Sequence, residues 1–184
     1  MKIAVYCASG EGLDPRYYAL GEQFGRMLAQ RGHSLVYGGY NKGIMCAVAR
    51  GVSSGHGEII AVVPKLFDRP EFTFEGCTEV IITETMHARK AKMEQLSDAF
   101  AILPGGIGTF DEFFELYVLK SLGECDKPMG LLNAMGCYDL LKAMLDKNTA
   151  DGLMTAKNLA LAKFYDTGEA LLDALEREYA ERAG

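Results

Sequence analysis

The sequence predicts an α/β protein: a single Rossmann-like, doubly wound domain over residues 1–184, with about seven mostly parallel strands and helices on both faces. Short β-rich apolar runs alternate with longer amphipathic runs along the whole chain. The segments between strands are long enough for the helical crossovers that parallel pairing requires. Three strand ends run into glycine-bearing turns followed by helix starts, as in folds that bind ligands beyond the carboxyl ends of their strands. At 184 residues and 49% apolar, the chain is long enough to bury one continuous core. No internal repeat, low-complexity stretch or Pro/Ser-rich linker divides it.

Taken in order, the strand patterns fall at residues 2–6, 34–37, 58–63, 78–82, 100–103, 128–132 and 159–164. After the first, Asp14-Pro15 opens a helix running to Arg31. Asp is a good N-cap, Pro is tolerated at the first helical position, and Gly32 is a natural stop. A helical run through Val48 follows the second strand. The segment 65–77 has no clear period and reads as a loop or an irregular turn of helix. Thr83 or Thr85 is placed to cap the helix after the fourth strand, and residues 110–122 form an apolar-periodic helix after the fifth. A last helix starts at Thr167.

The 19 basic and 25 acidic residues give a formal charge of −6, which excludes a general nucleic-acid binder that displaces counterions with a basic face. An anionic ligand must therefore be captured locally. Five cysteines, at positions 7, 46, 77, 125 and 137, form no Cys-x-x-Cys pair and no disulfide framework, so a reducing cytoplasm is expected. Neither secretion nor a membrane span is indicated, and no metal or cofactor site is expected.

The sharpest feature is Phe100-Ala101-Ile102-Leu103 followed by Pro104-Gly105-Gly106-Ile107-Gly108-Thr109 and a helix. Glycines without Cβ atoms let backbone N–H groups approach an anion, and the helix start adds free donors and a positive dipole end. A phosphate fits such a site. The competing reading makes the glycines a tight turn, with Thr109 and Glu112 forming a capping box for the helix.

Gly38-Gly39-Tyr40-Asn41-Lys42-Gly43 after the second strand repeats the strand, glycine, helix order, and could supply donors to the same crevice. The first turn, Cys7-Ala8-Ser9-Gly10-Glu11-Gly12, offers the Ser9 hydroxyl. It begins like a dinucleotide fingerprint, but Pro15 stands where the third glycine belongs, and no acidic residue follows the second strand to hold a ribose diol. No P-loop string occurs, which argues against triphosphate hydrolysis.

The densest cationic segment is Met86-His87-Ala88-Arg89-Lys90-Ala91-Lys92-Met93. Arg89 shares a helix face with Met93 and lies near Met86, so it sits beside apolar groups and suits a pocket, where its planar donors can grip phosphate. His87 has no metal partners and reads as structural. Asp111, Glu112 and Glu115 put three carboxylates in two helical turns, with Glu112 and Glu115 on one face. Next to a bound phosphate a carboxylate needs a task. Cleaving an N-glycosidic bond builds positive charge on the ribose, and Glu112 is placed to stabilise it or to activate water.

The motifs Pro104-Gly-Gly-Ile-Gly-Thr-Phe-Asp-Glu112 and Met86-His-Ala-Arg-Lys90 together resemble the paired signatures PGGxGTxxE and MHxRK of the LOG family, the cytokinin riboside 5′-monophosphate phosphoribohydrolases, many of which carry the label lysine decarboxylase. The likeness runs from Val5-Tyr6-Cys7-Ala8-Ser9 through Tyr37-Gly38-Gly39 to the last helix. It implies hydrolysis of a purine riboside 5′-monophosphate, cytokinin-type or adenosine, to free base and ribose 5-phosphate, with no cofactor.

Carried over position by position, the resemblance implies that Arg89 and Glu112 are catalytic. Lys90, Gly105, Gly106, Gly108 and Thr109 match substrate and phosphate binding, and Met86 and Glu115, in or beside the same motifs, are taken as substrate-binding candidates with them. Ser9, Gly38, Gly39 and Gly43 match secondary pocket positions. It also implies a homodimer or larger homo-oligomer. The chain departs from the usual pattern with Ala8 and Gly10 in the first turn, and with Tyr40 and Cys46 where glycine is common. These changes bear on base choice more than on chemistry. A pyridoxal-dependent lysine decarboxylase is not expected, because Lys90 in so short a chain lacks a cofactor setting. The remaining alternative is a carrier, similar to molybdenum-cofactor carriers, that holds a phosphorylated ligand without cleaving it.

Overall fold

The computed structural model describes residues 1–183. Seven strands, β1 (Lys2–Tyr6), β2 (Ser34–Tyr37), β3 (Ile59–Pro64), β4 (Glu79–Thr83), β5 (Ala99–Ile102), β6 (Met129–Leu132) and β7 (Phe164–Tyr165), form one sheet in the order β4-β3-β2-β1-β5-β6-β7. Every strand pair is parallel. The order reverses between β1 and β5, which opens a crevice at their carboxyl ends.

Alternation along each strand feeds two cores. From β1, Ile3 and Val5 pack with Phe24 and Leu28 of α1 (Pro15–Gln30), Val48 and Val52 of α2 (Gly43–Ser54), and Leu171 and Leu175. Ala4 and Tyr6 face the other side, against Met93 of α3 (Met86–Leu96), Phe113 and Tyr117 of α4 (Ile107–Leu122), and Leu141 and Leu145 of α5 (Asp139–Ala150). Covering both faces is what makes the central strands continuously apolar rather than alternating.

The cap signals act as read. The Asp14 side chain accepts from the Arg16 amide with Pro15 at the first position of α1, and Gly32 takes φ +72 just past its end. Of the two threonines, Thr85 caps α3 by accepting from the Ala88 amide. Residues 65–77 carry two 3₁₀ turns, Lys65–Phe67 and Pro70–Phe72, before β4.

Two elements differ from expectation. The apolar run at 159–164 is mostly not strand: its first residue ends the short helix α6 (Ala156–Leu159), which Thr155 caps, and only Phe164 and Tyr165 pair with β6. Leu159, Leu161 and Ala162 are partly buried against the core, which an apolar run can reach without a ladder, and Tyr117 donates its hydroxyl to the Asn158 carbonyl at 2.8 Å. The α4 helix starts earlier than the apolar period suggests, with Gly106 as N-cap and no side-chain cap bond. Thr109 therefore sits inside the first turn, 3% exposed, and the capping box of the competing reading does not form.

Candidate functional site

A cleft of about 670 Å³ lies at the reversal point of the sheet. Its floor is the end of β1 from Tyr6 to Ser9. One wall is the loop from Pro104 to Thr109 with Asp111 and Glu112; Met86 and Arg89 come from α3, and Gly38 and Met45 from the second turn and α2.

The turns are tied through Ala8. Its amide donates to the Pro104 carbonyl at 3.1 Å, and its own carbonyl accepts the amides of Ile44 (2.9 Å) and Met45 (3.2 Å). The leading amides of α2 are thus spent on Ala8, so the second turn does not offer them to a ligand as the sequence suggested. Gly43 makes this docking possible: it takes φ +61, and a Cβ there would meet the Ala8 carbonyl oxygen at 2.6 Å. At α4 the situation is reversed. No side chain caps its start, while Gly106, Ile107, Gly108 and Thr109 all line the cleft, so first-turn donors and the positive end of a 16-residue helix face the open space.

Arg89 and Met93 are the buried residues of α3, as their shared face predicted. Arg89 is only 8% exposed and donates from Nη2 to Oε1 of Glu112. Its buried Nε has no partner among the described residues. Burial pulls the Arg89 guanidinium below the usual arginine range, yet an arginine so placed stays charged. A charged guanidinium on a cleft wall is a ready anion contact. Gly38 clears the space: a Cβ there would lie 2.8 Å from both Arg89 Nη1 and Met45 Cε.

Of the residues singled out from sequence, Ser9, Gly38, Met86, Arg89, Gly105, Gly106, Gly108, Thr109 and Glu112 line the cleft. Gly39 and Gly43 stand behind it, Gly39 against Val63 and Gly43 against the first turn. Lys90 and Glu115 turn away into the α3–α4 crossing, where Lys90 Nζ meets Asp111 at 2.9 Å and Glu115 at 2.6 Å. Burial works against the Lys90 charge, but these two carboxylates outweigh it and hold the ammonium above its usual range. A Schiff-base lysine needs the opposite shift. His87 is exposed.

Sequence reading missed Leu13, Tyr17, Met45, Phe67, Cys7 and Cys137, which complete the cleft. Apart from Cys7, which stands in the first turn without a role assigned to it, they lie outside the two signature segments, and only the strand order brings them together. Burial pushes the Cys7 thiol up, and burial with the nearby Asp139 pushes Cys137 up to about 11, so neither supplies a thiolate at neutral pH. Burial likewise raises the Tyr6 hydroxyl, against the opposing pull of Arg89. No cluster of three or more His, Cys, Asp or Glu suited to a metal occurs among the described residues, and no described helix is long and apolar enough to cross a membrane.

Residues 45–175 match the family model described as "Possible lysine decarboxylase". The chain is 36% identical over 181 residues to the Arabidopsis thaliana protein named cytokinin riboside 5′-monophosphate phosphoribohydrolase LOG2, covering 98% of this chain and 84% of that one. It is 39% identical over 176 residues to a rice (Oryza sativa subsp. japonica) protein named as a probable enzyme of the same activity, LOGL1, covering 96% and 79%. Among solved structures, the molybdenum cofactor binding protein from Rippkaea orientalis superposes with a TM-score of 0.73 at 19% identity, covering 96% and 95% of the two chains, a likeness of fold. With both signature segments facing each other across one cleft and relatives of this identity over nearly its whole length, this chain belongs to the LOG family.

Proposed function

We propose that the protein hydrolyses the N-glycosidic bond of a purine riboside 5′-monophosphate, adenosine or cytokinin-type, releasing free base and ribose 5-phosphate. The observation that carries this is the engagement of Glu112 with Arg89 on the cleft wall, in place of the helix-capping role its sequence position suggests. The activity in the relatives' names supports the same reading.

In this reading the 5′-phosphate sits against the first-turn amides of α4 and the loop Gly105–Gly108, with the Arg89 guanidinium completing its charge balance. The C1′–N bond breaks with its electron pair leaving on the base. Glu112 stabilises the positive charge that develops on the ribose and takes a proton from the attacking water, whose oxygen bonds to C1′. The base takes up a proton from solvent as it leaves, and Glu112 returns the one it took, so that one water is added across the C1′–N bond. The apolar end of the cleft, with Leu13, Tyr17, Met45 and Phe67, receives the purine.

The same reading places the protein in the cytoplasm as a homodimer or larger assembly. Its five cysteines are all free, as a reducing compartment allows. On α4, Ile107 (90% exposed), Val118 and Leu122 lie along one stripe that this chain does not cover. Sedimentation of the wild type and of Val118→Glu tests the assembly; a monomer in both overturns it.

The activity is tested by incubating purified protein with AMP and with isopentenyladenosine monophosphate and measuring free base by chromatography. Base release from at least one is expected. Tight binding with no base from any monophosphate would leave a carrier instead.

A further inference from the structure

Lys90 follows Arg89 directly in the sequence, yet the two cations do different things. Successive helical residues point about 100° apart, so while Arg89 enters the cleft, Lys90 runs along the crossing of α3 and α4. Its side chain is 12% exposed, and its Nζ lies between the carboxylates of Asp111 (2.9 Å) and Glu115 (2.6 Å), residues one helical turn apart on α4. The recess around it, bounded also by Tyr6, Glu94 and Leu116, holds only about 10 Å³. That is room for one water at most and none for a phosphate.

Resting on the assignment of Arg89 and Glu112 to the reaction, we infer that Lys90 is a positioning residue: its bridge from α3 to Asp111 and Glu115 of α4 fixes the approach of Arg89 to Glu112 without touching substrate. The two helices meet through matched pairs, Arg89 with Glu112 and, beside it, Lys90 with the flanking carboxylates. Without Lys90, three carboxylates in two turns of α4 face a single guanidinium. Asp111 and Glu115 then compete with Glu112 for Nη2 of Arg89, so that Glu112 loses its fixed orientation while the guanidinium stays on the cleft wall.

The test uses full-length Lys90→Met, Lys90→Arg and Glu115→Gln, with base release from a monophosphate and affinity for ribose 5-phosphate by calorimetry as readouts. Lys90→Met is expected to lower kcat about tenfold or more, leaving KM and ribose 5-phosphate affinity within about twofold. Lys90→Arg restores most of the turnover. Glu115→Gln lowers kcat in the same direction, and adding it to Lys90→Met costs little more than Lys90→Met alone.

A tenfold loss of ribose 5-phosphate affinity in Lys90→Met overturns the inference, because it makes Lys90 a ligand contact. Unchanged kcat in Lys90→Met and Glu115→Gln overturns it as well. If Lys90→Met does not fold, Glu115→Gln and Lys90→Arg decide between the same outcomes. Glu112→Gln, assayed in parallel, separates this from failure of the underlying reading: wild-type turnover there removes the Glu112 assignment. If wild type releases no base, ribose 5-phosphate affinity still decides whether Lys90 touches ligand.

Discussion

The Arg89 guanidinium occupies the space that a side chain on Gly38 would need, with Nη1 2.8 Å from where a Cβ would stand. A glycine at the end of β2 and an arginine 51 positions later are therefore one fitted pair. Gly38→Ala displaces the ends of two flexible side chains, Arg89 and Met45, and no backbone. It is expected to cost about 1 kcal/mol of stability at most and to lower kcat/KM about tenfold or more. Thermal melts beside steady-state kinetics check this; wild-type turnover would show that Arg89 has slack to move.

Glu112→Gln keeps the shape of the side chain and its ability to accept from Arg89, but removes the charge. Fold and monophosphate binding are expected to persist while kcat falls about 10²–10³-fold. Single-turnover base release with a parallel binding titration measures the two separately. Unaltered turnover would return Glu112 to a purely structural pairing.

Arg89→Ala removes the guanidinium from the cleft wall and leaves Glu112 without its partner. Affinity for the monophosphate is expected to drop about 10- to 100-fold more than affinity for the unphosphorylated riboside. Competition binding with the two compounds gives the ratio. Equal losses would place Arg89 away from the phosphate.

Gly43 and Gly108 make opposite cases. At Gly43, alanine must adopt φ +61 and push a methyl group against the Ala8 carbonyl, which is backbone and cannot swing aside. Gly43→Ala is expected to destabilise by about 1–3 kcal/mol in chemical denaturation. Gly108 lies inside the first turn of α4 with nothing within 4 Å of a Cβ. Gly108→Ala is expected to add up to about 1 kcal/mol of stability while weakening phosphate binding several-fold, because the methyl group lines the cleft. A loss of stability there would contradict the helical assignment of that turn.

The fold was readable from local patterning wherever an element carries its own signal. Asp14-Pro15 and Gly32 bracket α1, Thr85 caps α3, and the apolar runs at β1, β2 and β5 are buried on both faces because helices cover both. The signal failed at 159–164, where Leu159, Leu161 and Ala162 are only partly buried, packed against the core without strand pairing. Period alone does not separate those two cases.

For the site, the sequence by itself determined the chemistry available: a glycine loop before a helix, an arginine on an apolar helix face, and three carboxylates in two turns. Which of those groups share a space was decided by the tertiary structure. The order β4-β3-β2-β1-β5-β6-β7 sets the ends of β1 and β5 side by side and brings α3 onto α4. That contact turns Glu112 from a capping residue into the partner of Arg89, and sends Lys90 out of the cleft into the helix crossing. It also spends the α2 amides on Ala8 while leaving those of α4 open. A one-dimensional motif fixes how residues point along their own helix. Their partners depend on how two helices cross, which is set by packing summed over the whole sheet.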